Sequence, residues 1–212
     1  MRTLGRVIVL ILACTLVLGV CPRSAASQRS RGSPDRYDDT FRKYSKRFFG
    51  SDFDWRVFKA QGLAESNLDS NATSRVGARG VMQLMPSTFG EIASKNPDFG
   101  KHIDDPEWNI AAGISYDRRL WNAWGQDSVG QHQREFMFAS YNAGRRTILG
   151  AQLTARNAKL DARSWPSIES VAPEVPRWRY KETLGYVKTI GSNLATLDDK
   201  GRTGRRPTTR TQ

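Results

Sequence analysis

Between residues 37 and 197 the apolar side chains recur at helical spacing, and no stretch alternates well enough to build a large sheet. That periodicity predicts one mainly α domain, with at most a short β-hairpin within 70–82. Phe58, Gly62 and Glu65 share one stripe of a helix that Asp52 or Asp54 can cap and that ends near Ser66. Pro86 suits the first turn of a second helix, 86–95. Asp105-Pro106 opens a third, to about Trp124, with Ile110, Ile114 and Trp121 at core spacing. A fourth, about 130–142, carries Phe136, Met137, Phe138 and Ala139 and stops at Gly144. A short helix to about Arg156 follows. Pro166, Pro173 and Pro176 predict an irregular stretch over 161–177. The last helix, about 179–197, sets Leu184, Val187, Ile190 and Leu194 on one face.

The flanks differ in kind. Residues 1–26 read as a secretory signal: Arg2 and Arg6, then the apolar run Val7 to Val20, then Ser24-Ala25-Ala26 for cleavage. The apolar run has 14 residues, short for a membrane span, so an uncleaved anchor is the weaker reading. Bulky Val20 argues against lipidation at Cys21. Residues 27–36 are a polar linker rich in Ser and Arg, and 198–212 are a basic tail with almost no apolar residues; both are expected to be disordered. Both cysteines, Cys14 and Cys21, fall in the signal, so the exported chain is expected to carry neither disulfide nor thiol chemistry. His102 and His132 lack metal-ligand spacing and leave little for a catalytic triad, so neither metal nor cofactor is expected. The net charge of +12 becomes about +9 once Arg2, Arg6 and Arg23 are removed. Such a charge suits an anionic partner, and export favours an acidic wall polymer over nucleic acid.

Within "GLAESNLDSNATSRVGARGVMQLMP", residues 62–86, one carboxylate invites a chemical question. Phe58 is expected to be buried, so Glu65 on the same stripe faces inward. Burial disfavours the anion and raises the carboxyl pKa. An acid still protonated near neutral pH can give its proton to a leaving oxygen. The plainer alternative is a helix-end glutamate paired with Arg75 or Arg79. Downstream, Ser74, Gly77 and Gly80 make a loop of small residues that a ligand can approach closely. Gln83 offers a donor and an acceptor to sugar amides and hydroxyls, with Met85 beside it. Tyr141 and Asn142 sit near the end of the fourth helix, and an aromatic face and an amide suit a sugar groove.

The ordered motifs "ES" (65–66), "GARGVMQLMP" (77–86), "NIAAG" (109–113), "SYNAG" (140–144) and "ETLGYV" (182–187) together resemble the family 1 lytic transglycosylases. The chain is most similar to the catalytic domain of the membrane-bound lytic transglycosylase F group, over about 41–195. The resemblance implies a goose-lysozyme-like α+β fold that is mainly helical. It implies that Glu65 is the lone catalytic acid/base and that Ser74 holds the substrate N-acetyl group. It implies that Gln83, Met85, Tyr141 and Asn142 line the glycan groove, with Val81 and Ser140 as small departures from the family pattern. Glu182 and Tyr186 match the last motif, whose tyrosine lies near the acid. The substrate implied is the peptidoglycan glycan strand, cut with formation of a 1,6-anhydromuramic end. A monomer acting in the periplasm is expected, associated with the wall, the outer membrane or a secretion apparatus. A typical glycosidase uses two carboxylates, whereas the motif core offers one. Asp69 is the runner-up second carboxylate, and a cap or turn is the preferred reading for it. Water as acceptor, as in a lysozyme-type muramidase, and a non-catalytic wall-binding protein are the competing functions.

Overall fold

The computed structural model describes residues 35–100, 102–126 and 129–203, the last four by backbone alone. The expected signal, the linker up to residue 34 and residues 204–212 lie outside the described residues. Among the described residues eight α-helices follow one another: α1 Asp38–Phe49, α2 Arg56–Ser66, α3 Pro86–Lys95, α4 Pro106–Gln126, α5 Gln133–Ala143, α6 Arg145–Asn157, α7 Trp165–Val171 and α8 Tyr180–Thr203. Short 3-10 turns stand at Pro97–Phe99, Gly130–His132 and Ala172–Glu174. No described residue forms a strand; the expected hairpin is reduced to two single bridges, Thr73 with Arg79 and Arg79 with Leu84. Among the described residues no helix is long and apolar enough to cross a membrane.

Helix α2 lies at the centre. Six successive residues, Val57 to Gly62, are buried, so α2 is covered on all sides, by α1 and α8 among others. Asp54 starts it: its carboxylate accepts the Arg56 backbone N–H (3.0 Å) and also holds the Arg56 guanidinium. Asp105 starts α4 in the same way, accepting the N–H groups of Glu107 (2.8 Å) and Trp108 (3.2 Å). Helix α4 packs on α1, α3 and α5, and α5 continues to α6 and α8. The core forms two clusters. One gathers Phe41, Phe58, Met82, Ile110 and Ile114 around α1, α2 and α4; the other gathers Trp124, Phe136, Ile148, Trp165 and Ile168 around α5 to α7. Helix α5 serves both, Met137 and Phe138 facing the first and Phe136 and Ala139 the second.

The structure corrects three expectations. Helix α1 was not predicted, yet Phe41, Tyr44 and Ser45 line its buried face, Asp38 and Asp39 occupy its first turn, and Lys46 and Arg47 its last. The stretch 161–177 is not irregular throughout: Pro166 stands in the first turn of α7, where the missing N–H costs nothing. Helix α8 runs on to Thr203, so 198–203, read as tail, are helical.

The loop from Ala72 to Leu84 bears on function most, and it is laid down by one side chain. Asn109, wholly buried on α4, accepts the Met82 N–H (2.8 Å) and donates to the carbonyls of Arg79 and Ile103 (3.0 Å each). Glycine is required at both points of contact. A Cβ on Gly80, which has φ +75°, would lie 2.6 Å from the Asn109 side chain, and one on Gly113 would lie 2.8 Å from that of Met82. "GARGVM" and "NIAAG" are thus the two halves of one close contact.

Asn109→Ala strands three backbone groups at about 1–3 kcal/mol each, so a loss of about 3 kcal/mol or more is expected in urea unfolding. A loss below about 1 kcal/mol would show that the loop does not hang on this residue.

Candidate active site

Glu65 occupies the last turn of α2. Beyond it the chain reverses through Asn67 (φ 55°) and Leu68 (φ 60°), both left-handed. This reversal brings the Ala72–Leu84 loop back across the helix end, where Ser66 Oγ donates to the Val81 carbonyl (2.9 Å). From α5, the Tyr141 hydroxyl donates to the Met82 carbonyl (2.8 Å), and its ring packs on Tyr116 with centroids 5.3 Å apart. The loop is therefore fastened from α2 by Ser66, from α4 by Asn109 and from α5 by Tyr141.

Glu65 stays partly open to solvent. Among the described residues its hydrogen-bond partner is Tyr186 of α8, whose hydroxyl donates to Oε1 at 2.5 Å. No ion pair joins it to a cation among the described residues: Arg79 pairs with Asp104 (3.0 Å) instead. The plain reading of Glu65 as a salt-bridged helix end therefore fails. Burial lifts its pKa from 4.5 to about 7, and the Tyr186 hydrogen bond pulls the other way. Burial first, then the charge of Glu65, push the Tyr141 and Tyr186 phenols well above their ordinary value, so both remain neutral donors.

The other expected residues fall into place unequally. Ser74 closes its own loop by accepting the Ala78 N–H (2.9 Å) on Oγ, which leaves its hydroxyl hydrogen to donate. Gln83, at φ 45°, spends its amide hydrogens on the carbonyls of Ala72 (3.1 Å) and Gly80 (3.0 Å). It holds the loop and has only its oxygen left for a ligand. Met85 precedes α3 and is 38% exposed. Asn142 is exposed, its oxygen fixed by the Thr183 hydroxyl (2.8 Å), which accepts from Trp178 Nε1 (3.0 Å). Glu182 is not brought to Glu65: it is half exposed one turn before Tyr186 and paired with Arg179 (2.7 Å). Asp69 accepts the Asn71 N–H (2.9 Å) and turns the chain, as preferred for it.

Sequence reasoning passed over Asn109, quoted only as part of a motif, and the buried pair Gln61 and Asp117. Asp117 carried a usable signal. It falls on the stripe Ile110, Ile114, Trp121 of α4, where an apolar residue would be expected.

A protein-family model described as the transglycosylase SLT domain matches residues 49–163, more than half of the chain. This protein belongs to the SLT transglycosylase domain family. The membrane-bound lytic murein transglycosylase F of Shewanella halifaxensis is 29% identical over 155 residues, covering 72% of this chain and 30% of the relative. That of Vibrio cholerae is 30% identical over 156 residues, covering 72% and 27%. The chain thus spans less than a third of the length of these relatives. Among solved structures, the 70 kDa soluble lytic transglycosylase of Escherichia coli superposes with a TM-score of 0.57 at 26% identity, over 76% of this chain and 24% of that one. A complex of the 70 kDa soluble lytic transglycosylase with bulgecin A gives the same TM-score and identity over 84% and 26%. The matched 49–163 stops short of Tyr186, so the family model's span holds the acid but not the hydroxyl bonded to it.

Tyr186→Phe removes the hydrogen bond that favours the carboxylate, so Glu65 is expected to titrate above its wild-type value of about 7, read by carbon-13 NMR of labelled glutamate. An unchanged or lower value would contradict the contact.

Stability gives a second reading. From about pH 4.5 to about 7 folded Glu65 keeps a proton that the unfolded chain releases, so stability falls as pH rises. Glu65→Gln removes that fall. Its advantage over wild type is expected to grow across this window by up to about 3 kcal/mol in pH-dependent urea unfolding. An advantage independent of pH would place the carboxyl in ordinary surroundings.

Proposed function

We propose that this protein is an exported lytic transglycosylase of the periplasm that cleaves the β-1,4 bond between N-acetylmuramic acid and N-acetylglucosamine in peptidoglycan. The observation that carries the reading is Glu65 itself, with no cation paired to it among the described residues, poised near neutrality and bonded to a neutral tyrosine. The names of the relatives support the choice of murein as substrate. About half of Glu65 is protonated at its pKa of about 7, so the acid form is available in ordinary conditions.

The proton inventory closes on this one side chain. Glu65 protonates the glycosidic oxygen as the muramyl C1–O bond breaks, and the N-acetylglucosamine hydroxyl leaves. The 2-acetamido group, held by the free hydroxyl hydrogen of Ser74, steadies the positive anomeric carbon. Glu65, now a carboxylate favoured by the Tyr186 O–H, takes the proton of the muramyl C6 hydroxyl while that oxygen bonds C1. The anhydro ring forms without water, and Glu65 ends protonated for the next cycle. The attacking hydroxyl is tethered to the sugar it attacks, so little entropy is lost in bringing it up. Tyr141 and Gln83 act in this scheme through the loop, and Asn142 and the exposed Met85 offer contacts to the strand.

Glu65→Gln is expected to fold and bind wall but to cleave it about 10²–10⁴-fold more slowly. Mass spectrometry of a wild-type digest is expected to give muramyl ends lighter by one water than reducing ends. Turnover by Glu65→Gln at the wild-type rate would refute the assignment, and reducing ends would make the enzyme a hydrolase.

A further inference from the structure

Behind Glu65 lies a second carboxyl that the reaction above does not use. Asp117 of α4 is wholly buried, and so is Gln61 of α2, one turn before Glu65 on the same helix. Gln61 Nε2 donates to Asp117 Oδ1 across a long 3.4 Å. The remaining oxygen of each group, Asp117 Oδ2 and Gln61 Oε1, is buried without a hydrogen-bond partner among the described residues. An ionised Asp117 would leave both oxygens stranded and place an anion in the core with no cation beside it, a costly arrangement. The charge that reaches Asp117 from neighbouring elements is that of another acid, Glu65 of α2. Asp117 in turn acts on the phenols of Tyr141 on α5 and Tyr186 on α8. One proton resolves the mismatch. A carboxylic acid O–H can donate to an amide oxygen while the amide N–H donates to the acid carbonyl, and both stranded oxygens are then satisfied.

We propose that Asp117 is a positioning residue, held as the neutral acid head to head with Gln61, and that this pair sets the turn of α2 that carries Glu65. Burial pushes the Asp117 carboxyl well above the ordinary range; the Gln61 hydrogen bond opposes this and the Glu65 charge adds to it. Neutrality has a consequence for the site. An anion at Asp117 would disfavour the Glu65 carboxylate and so hinder its proton donation as acid, whereas the neutral acid does not. It also removes Asp117 as the missing second carboxylate of a two-acid glycosidase. The activity part of this inference rests on the proposed reaction; the protonation part does not.

The test uses the full chain labelled with carbon-13 at the aspartate carboxyls, the Asp117 signal being assigned by its loss in Asp117→Asn. That signal is expected to keep its neutral-acid position at pH values where ordinary aspartates are already ionised. Titration in the ordinary aspartate range would overturn the proposal and leave the reaction untouched. In wall cleavage, Asp117→Ala is expected to lose on the order of 10²-fold in turnover by misplacing Glu65. Asp117→Asn, which rebuilds the pair as two amides, should recover most of that and restore the wild-type pH profile. A folded Asp117→Asn as inactive as Glu65→Gln would overturn the proposal, because the carboxylate itself would then be needed. Should Asp117→Ala fail to fold, the carbon-13 titration and Asp117→Asn still decide. Should the wild type not cleave wall at all, the proposed reaction fails and the titration alone judges Asp117.

Discussion

One asparagine holds the site together. Asn109 uses both its oxygen and its amide hydrogens on three backbone groups, and two of these bonds, to Arg79 and Met82, tie the loop from Ala72 to Leu84 to α4. The path of the loop matters because the carbonyls it presents are the anchoring points of the neighbouring helices. Val81 receives Ser66 from the end of α2, and Met82 receives Tyr141 from α5. Remove the anchor and Glu65 loses the loop that walls it in. Backbone contacts this close leave no room for a Cβ at Gly80 or Gly113, which is why two separate motifs carry glycine there.

Within this frame the electrostatics follow from what is absent. Among the described residues the side chain that acts on Glu65 is a phenol, Tyr186, and not a lysine or arginine, although the chain as a whole is strongly basic. Cations elsewhere are occupied: Arg79 by Asp104, Arg179 by Glu182, and Lys59 by Asp38 at the start of α1. A largely buried carboxyl without a cation holds its proton, and the Tyr186 hydrogen bond opposes that by favouring the anion. A neutral Asp117 keeps the balance by adding no second charge.

Much of this was legible in the sequence, because the periodicity of α2, α3, α4 and α5 is strong and the residues that start them are of the expected types. Asp54 and Asp105 bond the first helical N–H groups, and Pro86 opens α3. Helix α1 was missed because Tyr37 precedes it in a left-handed conformation, with no Ser, Thr, Asp or Asn cap to announce it. Helix α7 was missed because Pro166 was read as a breaker, when a proline in a first turn is compatible with a helix. The pairing of Glu65 with Tyr186 spans 121 residues, and no local rule reaches that far; only the resemblance pointed to it. Asp117 was overlooked for the opposite reason. It stood on a stripe that was read as core, and a polar residue there is informative because it does not belong.

In the proposed reaction one carboxyl does the work of two, and the substrate's own C6 hydroxyl takes the place of water. Digestion of purified peptidoglycan in oxygen-18 water, followed by mass spectrometry of the muramyl products, tests this most directly. The account predicts anhydro ends that carry no oxygen-18. Reducing muramic ends that acquire one oxygen-18 at the rate of cleavage would contradict it.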